Sequence, residues 1–404
     1  MTLRSAGSER EGGRFRLAHV VSHPIAYFVP LYRELAHRSE LELTVFYCSD
    51  ATLEAHYDPN FERELEWDTP LLGGYEAVFL PSSRGKPVDA ARSPNWDVVR
   101  ETTSGRYDAV WVHAYGRATT WAVAAAGRLR GVPVLLREEA TLLRRRGPLR
   151  RSLKELPLRL LFRTIWGGLY IGEENKRYLR RYGVPERRLF PVRYCVDNAY
   201  FRTAAESLRP RREEVRASFG IDDDAPVVLF CGNLASHKRP LELLEAFARV
   251  RQGTKCWLLL VGDGPLREAL EHTVAADEIP GVILAGFRNF SEMTDAYAAA
   301  DVFVLPSQRD TWGLVVNEAM NFGLPLVVSD RVGSGTDLVR TGVNGYVVRD
   351  DDVSGLSDAL DALVRDAELR SRYGAASREI VAEYSVEAAA DGIVAACRSI
   401  ESRA

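Results

Sequence analysis

"DVFVLPSQRDTWGLVVNEAMNFGLPLVVSD", residues 301–330, decides the fold. Its opening apolar run ends at a Pro, a polar loop follows, and Gly313 then leads into a helical pattern that stops before a second apolar run. Strand, loop, helix and strand in that order form a crossover unit, and crossovers join parallel strands. Two acids, Asp310 and Glu318, lie eight positions apart in this unit. Asp310 falls in the loop just before the helix, and Glu318 falls about one turn inside it, on the side of the helix's cleft-facing end. A carboxylate there can accept bonds from both hydroxyls of a ribose, while the unpaired amides around Gly313, Leu314 and Val315 can hold a sugar or phosphate oxygen. The plainer alternative makes Asp310 a loop or capping acid and Glu318 a solvated helix residue.

The same alternation continues outward. Upstream stand "VVLFCGNL", "PLELLEAFARVRQG", "CWLLLVGDG" and "GVILAGF"; downstream stands "GYVVRDD". An earlier series begins at Phe15 with "FRLAHVV" and continues through "LELTVFYC", "YDAVWVHAYG" and "VPVLLRE". Between about 194 and 214 the pattern stops and charge takes over. The sequence therefore predicts two α/β halves, residues 15–198 and 199–385, with a last helix over 386–404 packing back toward the first half. Ligands of open α/β sheets sit beyond the carboxyl ends of the strands, so the loops there should face a shared cleft. Residues 1–14, polar and without the apolar core of a secretory signal, read as a disordered tail.

At 404 residues and a net charge of -3 the chain is an ordinary multidomain globular protein, with no basic excess that would argue for nucleic acid. Five scattered cysteines form no Cys-x-x-Cys pair, which fits a reducing cytosol. No stretch approaches the length of a membrane-spanning helix. Residues 144–163 carry eight Arg or Lys against one acid, Glu155. That stretch reads first as a solvated helix lying over apolar neighbours, and second as a surface for peripheral contact with an anionic membrane face.

Two further loops carry chemistry. "LLLVGDGPLREAL" places Gly262 and Gly264 after a strand, where a ligand could approach the backbone. A dinucleotide fingerprint would need a third Gly where Arg267 stands, so a nicotinamide cofactor fits poorly. "FCGNLASHKRPLELL" supplies Gly232 and then Lys238 and Arg239, cations suited to a diphosphate. No Walker pattern occurs, which argues against a P-loop enzyme. Three consecutive edges thus offer a cation, a Gly-rich turn and a pair of acids.

Here the chain resembles family 4 of the retaining glycosyltransferases. The resemblance rests on "DTWGLVVNEAMNFGLPLVVSD" as an acid-x7-acid signature, with "VGDGPLRE", "AGF" and "ADVFVLPS" in the family's order. "VSHPIAYFVPLYREL" and "RYCVDNAYF" are similar to a subgroup. It implies the GT-B fold, two Rossmann-like parallel-sheet domains facing each other across a cleft, and a nucleotide sugar as co-substrate. By that resemblance Glu318 would hold the donor ribose and Asp310 the transferred sugar, with the amides of Trp312, Gly313 and Leu314 near the sugar or diphosphate. Lys238 would bind the diphosphate, beside Gly232 and Asn233, and Phe287 and Arg288 would line the base pocket. Glu139, His113 and His23 would face the acceptor.

Two positions depart from the family's pattern. The first acid is usually Glu and is here Asp310, shorter by one methylene. The family's usual Arg is replaced by Asn233, so Arg239 or another cation must compensate. The resemblance implies attack from the leaving group's own face, with no protein nucleophile and no metal or other cofactor. "IDDDAP" and "VRDDDVS" read as a turn and a helix start rather than metal sites. The expected protein is a cytoplasmic glycosyltransferase, in contact with the inner membrane face if the basic stretch docks there. It would use a UDP-linked donor and a glycan, lipid-linked sugar or small-molecule acceptor. An epimerase on the same fold and an impaired sugar-nucleotide-binding protein are the competing expectations.

Overall fold

The computed structural model describes residues 13–58, 63–87, 93–143 and 148–403, with the backbone alone over 148–154. The expected tail over 1–14 lies outside the described residues except for its last two positions.

The first half builds a seven-stranded sheet. Its strands, in chain order, are β1 (Phe15–Val21), β2 (Leu41–Tyr47), β5 (Glu76–Val78), β6 (Ala109–His113), β7 (Val134–Arg137), β8 (Gly167–Tyr170) and β9 (Leu189–Pro191). They lie side by side as β5-β2-β1-β6-β7-β8-β9, every pair parallel. Between β2 and β5 a small antiparallel hairpin, β3 (His56–Asp58) and β4 (Arg63–Leu65), stands outside the sheet. The second half builds six parallel strands: β10 (Val227–Cys231), β11 (Trp257–Val261), β12 (Val282–Gly286), β13 (Val302–Leu305), β14 (Leu326–Ser329) and β15 (Gly345–Val348). Their order is β12-β11-β10-β13-β14-β15.

Helices cover both faces of such a sheet, so its strands must be apolar throughout. Every residue of β10, β13 and β14 is buried, which is why these runs were legible as strands. The strand order reverses direction at β10 and β13, and the loops after these two strands carry Lys238 and Asp310. A reversal point opens a crevice at the carboxyl edge.

The halves are joined by more than the linker. Helix Asn198–Leu208 packs on the second half, with Asn198 Nδ2 donating to the carbonyls of Val381 and Tyr384. The last helix, Val386–Glu401, returns to the first half and is capped by the Ser385 hydroxyl. It crosses β9 at Gly392, where a Cβ would overlap the Pro191 carbonyl oxygen. Arg398 and Asp391 of this helix reach Glu40 and Arg38. Among the described residues, no helix is long and apolar enough to cross a membrane.

Helix propensity alone would make Gly392→Ala stabilising by about 1 kcal/mol. The close crossing reverses the sign: the variant should lose about 1–3 kcal/mol through overpacking. Urea denaturation checks this, and a midpoint that rises contradicts the tight crossing.

Candidate functional site

The loop after β13 and the helix Leu314–Asn321 form the centre of the site. Gly313 holds φ 86° at the helix start, and a Cβ there would lie 2.9 Å from Leu305 Cδ2. The position thus excludes a side chain on both counts. The turn opens the helix beside Val315, which lines the apolar hollow, and a helix start favours negative charge. Asp310 precedes this turn, and Lys238 Nζ donates to its Oδ2 at 2.6 Å. Lys238 reaches it from the turn Ser236–Lys238 after β10. The sequence placed these two at one site with separate roles; the structure joins them as a pair, both side chains mostly buried at 17% and 12% exposure.

Glu318 sits deeper than its sequence reading placed it. It is 1% exposed, because the helix from Val316 to Asn321 is buried all round. Tyr297 donates its hydroxyl to Glu318 Oε2 at 2.6 Å, and Oε1 has no hydrogen-bond partner among the described residues. Burial raises the carboxyl's pKa, and the Tyr297 bond together with the nearby Tyr27 hydroxyl opposes that shift. Tyr27 belongs to the first half, so both halves meet at this carboxylate.

Two hollows flank the helix start. The apolar one, about 210 Å³, is lined by Gly232, Gly262, Phe287, Arg288 and Val315, with Tyr27, Phe290 and Met293. Glu318 lies behind this wall, against Tyr27 and Cys231. The polar hollow, about 400 Å³, is lined by Asp310 and Thr311 of the second half and by His113, Tyr115, Glu138 and Glu139 of the first. His113 Nε2 lies 3.3 Å from Glu139 Oε1. Burial alone would raise the Glu139 pKa. The His113 bond and charge, Arg137 and Tyr194 outweigh it and bring the carboxyl down to about 2. Arg137, 2% exposed, has its guanidinium over the rings of Tyr194 and Phe28 at 4.6 and 4.9 Å.

Glu138 behaves oppositely. Burial, with the Glu139 charge beside it, pushes its pKa up to about 7 although it accepts the amides of Tyr115 (2.8 Å) and Ala140 (3.0 Å). Glu138, Tyr27 and Tyr297 were not singled out in the sequence. An acid beside Glu139 and a tyrosine on an apolar helix give no local signal that distinguishes them from core residues.

Other expected residues have different work. Gly264 faces a separate recess with Asp263 and Arg267; a Cβ on it would meet the Leu234 backbone at 3.0 Å. Gly262 also lacks room, since a Cβ would overlap the Gly232 carbonyl. The glycines are required by the close approach of neighbouring loops, which the Leu234 N–H to Asp263 carbonyl bond holds together. Arg239 has φ 58° and gives its guanidinium to Glu242 at 2.9 Å, so the expected replacement cation is already engaged. Asn233 and His23 line neither hollow. Trp312 is a wedge between the halves: its ring lies 6.1 Å from those of Tyr194 and Tyr384, and its indole donates to Asn317 Oδ1. Of the two Asp-rich stretches, Asp352 caps helix Val353–Arg365, and Asp223 is held by Lys255 and the Trp257 indole.

Comparison with known proteins places this geometry. Residues 211–380 match the family described as glycosyl transferases group 1. The chain is 31% identical over 224 residues to the alpha-D-kanosaminyltransferase of Streptomyces kanamyceticus, covering 55% of this chain and 57% of that one. It is 32% identical over 244 residues to the D-inositol 3-phosphate glycosyltransferase of Geodermatophilus obscurus, covering 55% and 50%. The chain thus spans about half the length of these curated relatives. Among solved structures, a glycosyltransferase from Rickettsia africae superposes with a TM-score of 0.72 at 15% identity, covering 97% of this chain and 100% of that one. Anabaena HepE in complex with UDP superposes at 0.70 and 16% identity, covering 96% and 100%. Residues 211–380 thus resemble the glycosyl transferases group 1 family, and the chain as a whole has the two-sheet GT-B fold of these solved structures.

Proposed function

We propose that the protein transfers a sugar from a UDP-linked donor to an acceptor hydroxyl, with retention at the anomeric carbon and without a metal. One observation carries this reading: the start of helix Leu314–Asn321 separates an apolar hollow, lined by Val315, from a polar one lined by Asp310, to which Lys238 is paired. The base and ribose would occupy the apolar side, over Glu318, whose unpartnered oxygen suits a ribose hydroxyl. The diphosphate would meet Lys238 and the helix amides, and the acceptor would enter between His113, Glu139 and Asp310.

As the bond from the anomeric carbon to the diphosphate oxygen breaks, positive charge grows on the sugar and negative charge on the leaving oxygen. Lys238 and the amides of Gly313, Leu314 and Val315 stabilise the latter. The acceptor hydroxyl attacks from the same face, and its proton passes to the leaving phosphate. Glu139, held ionised by His113, orients the acceptor. The acceptor would be a glycan, a lipid-linked sugar or a small aglycone. Leu156 and Leu160 stand exposed one turn apart on helix Pro148–Thr164, at 67% and 53%, beside Arg159 and Arg163. That face supports peripheral contact with an anionic membrane on the cytoplasmic side. The basic residues before 155 lie outside the described side chains.

A second reading, sugar-nucleotide binding with impaired turnover, is favoured by the engagement of Arg239 with Glu242, which leaves Asn233 without a replacement cation from that residue.

Glu318→Ala should weaken UDP binding at least tenfold, read by calorimetry, because a buried acceptor for the ribose is lost. Lys238→Ala should lower kcat by about 10²–10³ in donor hydrolysis or transfer. NMR of the product's anomeric centre decides retention. Transfer unchanged by either substitution rules out the reading, and tight UDP binding without turnover on a broad acceptor panel selects the second. Stability should also carry the mark of Glu138. Its pKa is raised from 4.5 to about 7, so its contribution is complete below pH 4.5 and lost as pH rises through 7. Glu139, lowered to about 2, loses its contribution only as pH falls below 4.5. Between pH 5 and 8, therefore, the Tm of the wild type should fall relative to that of Glu138→Gln. A flat difference across that range contradicts the buried assignment.

A further inference from the structure

The apolar hollow is not built by the second half alone. After the β3–β4 hairpin, the chain of the first half leaves its own sheet and crosses to the loop that follows β12. Asn289 Nδ2 donates to the Glu66 carbonyl at 2.6 Å, and Ser291 donates through both its amide and its hydroxyl to Asp68 Oδ2. These partners are 223 residues apart in sequence. Arg63 completes the crossing with its guanidinium 4.7 Å from the Phe287 ring centroid. The crossing carries Leu65, Glu66 and Trp67 into the wall of the hollow, facing the space shared with Phe287, Arg288 and Phe290.

Leu65 is buried, whereas Trp67 is only partly buried and lines the hollow. An indole left partly open to a small apolar space is a surface that a flat ring can cover, with gains from both burial and stacking. The Glu66 carbonyl and the Asp68 carboxylate are tied to the other half on either side of Trp67, so the segment is held before any ligand arrives and less ordering is needed on binding.

We propose that residues 65–68 of the first half are a wall of the nucleoside pocket and that Trp67 packs on the base of the donor nucleotide. The proposal rests on the nucleotide-sugar reading given above and adds to it a residue from the opposite domain. Nucleotide binding would then span the two halves at the base, in addition to any contact at the transferred sugar.

Calorimetry on the full chain tests this, using whichever of UDP, GDP and ADP the wild type binds most tightly, with inorganic pyrophosphate as a probe that lacks a base. Stacking on an aromatic side chain is worth ~1–3 kcal/mol per base, so Trp67→Ala should weaken the nucleotide about 5- to 150-fold. Pyrophosphate affinity should stay at the wild-type value. Trp67→Phe should recover most of the loss, and Trp96→Ala, at a tryptophan 65% exposed and outside the hollow, should change nothing. Nucleotide affinity unchanged in Trp67→Ala overturns the proposal. Equal losses for nucleotide and pyrophosphate overturn it too, since they would show a general disturbance of the site. If Glu318→Ala abolishes nucleotide binding while Trp67→Ala does not alter it, the wall fails and the donor reading survives. If the wild type binds none of the three nucleotides, both fail together.

Discussion

A carboxylate at 1% exposure with one oxygen unpartnered among the described residues is expensive, and the architecture around Glu318 is organised by that cost. Removing an ionised group from water is tolerable only with hydrogen bonds or charge to replace the lost hydration. Here Tyr297 supplies one bond from the neighbouring helix, and Tyr27 approaches from the other half of the molecule. Burial still raises the pKa, so the site is incompletely compensated as it stands. An unsatisfied acceptor behind an apolar hollow is a poor core element and a good anchor for a ligand carrying hydroxyls. The position of the helix that bears it follows from the parallel sheet, which fixes where the loop after β13 must emerge.

The same logic explains why the halves are closely joined at the divide. Trp312 packs toward Tyr194 on one side and Tyr384 on the other, and Asn317 ties it to the Tyr194 carbonyl. Gly172 is small because the Trp312 ring occupies the place of its Cβ. Nearby, Asp337 of the second half accepts the Glu173 amide at the start of helix Glu173–Arg181, and Arg331 bonds to the Leu143 carbonyl. These contacts set the separation of the two loops that carry His113 and Asp310, and so the width of the polar hollow.

Much of this was legible in the sequence, and the exceptions have physical causes. Long apolar runs such as "VVLFC" and "FVLP" report burial on two faces and could be read as parallel strands. The three-residue strands β5 and β9 and the β3–β4 hairpin are too short to impose a period. Gly313 was read correctly as a residue of the helix start, since the left-handed turn there leaves no other choice. What requires Gly264 was not legible, because a sequence shows that a side chain is missing but not what fills the space, and here it is the Leu234 backbone. Glu318 looked like a helix residue facing the cleft. Its true depth depends on Tyr27, almost three hundred positions away. The 65–68 crossing was invisible for the same reason: nothing local marks a segment whose partners lie in the other domain.

The pairing of Lys238 with Asp310 gives the departures from the family's pattern a common physical sense. With Asn233 in place of a cation and Arg239 committed to Glu242, Lys238 is the cation that the loop after β10 brings to the helix start. A lone ammonium in a mostly buried setting would be destabilising, and the shorter Asp310 holds it at 2.6 Å in the absence of a ligand. Under the proposed function, a diphosphate arriving there would compete with Asp310 for the same ammonium, and the Asp310 carboxylate would be freed toward the polar hollow, where a sugar hydroxyl could replace the lost partner. The exchange would leave Asp310 with a neutral hydroxyl in place of a cation, so the helix-start amides and the hydroxyl's hydrogen-bond geometry would have to offset the added negative charge, and that geometry responds to a single methylene in the acid.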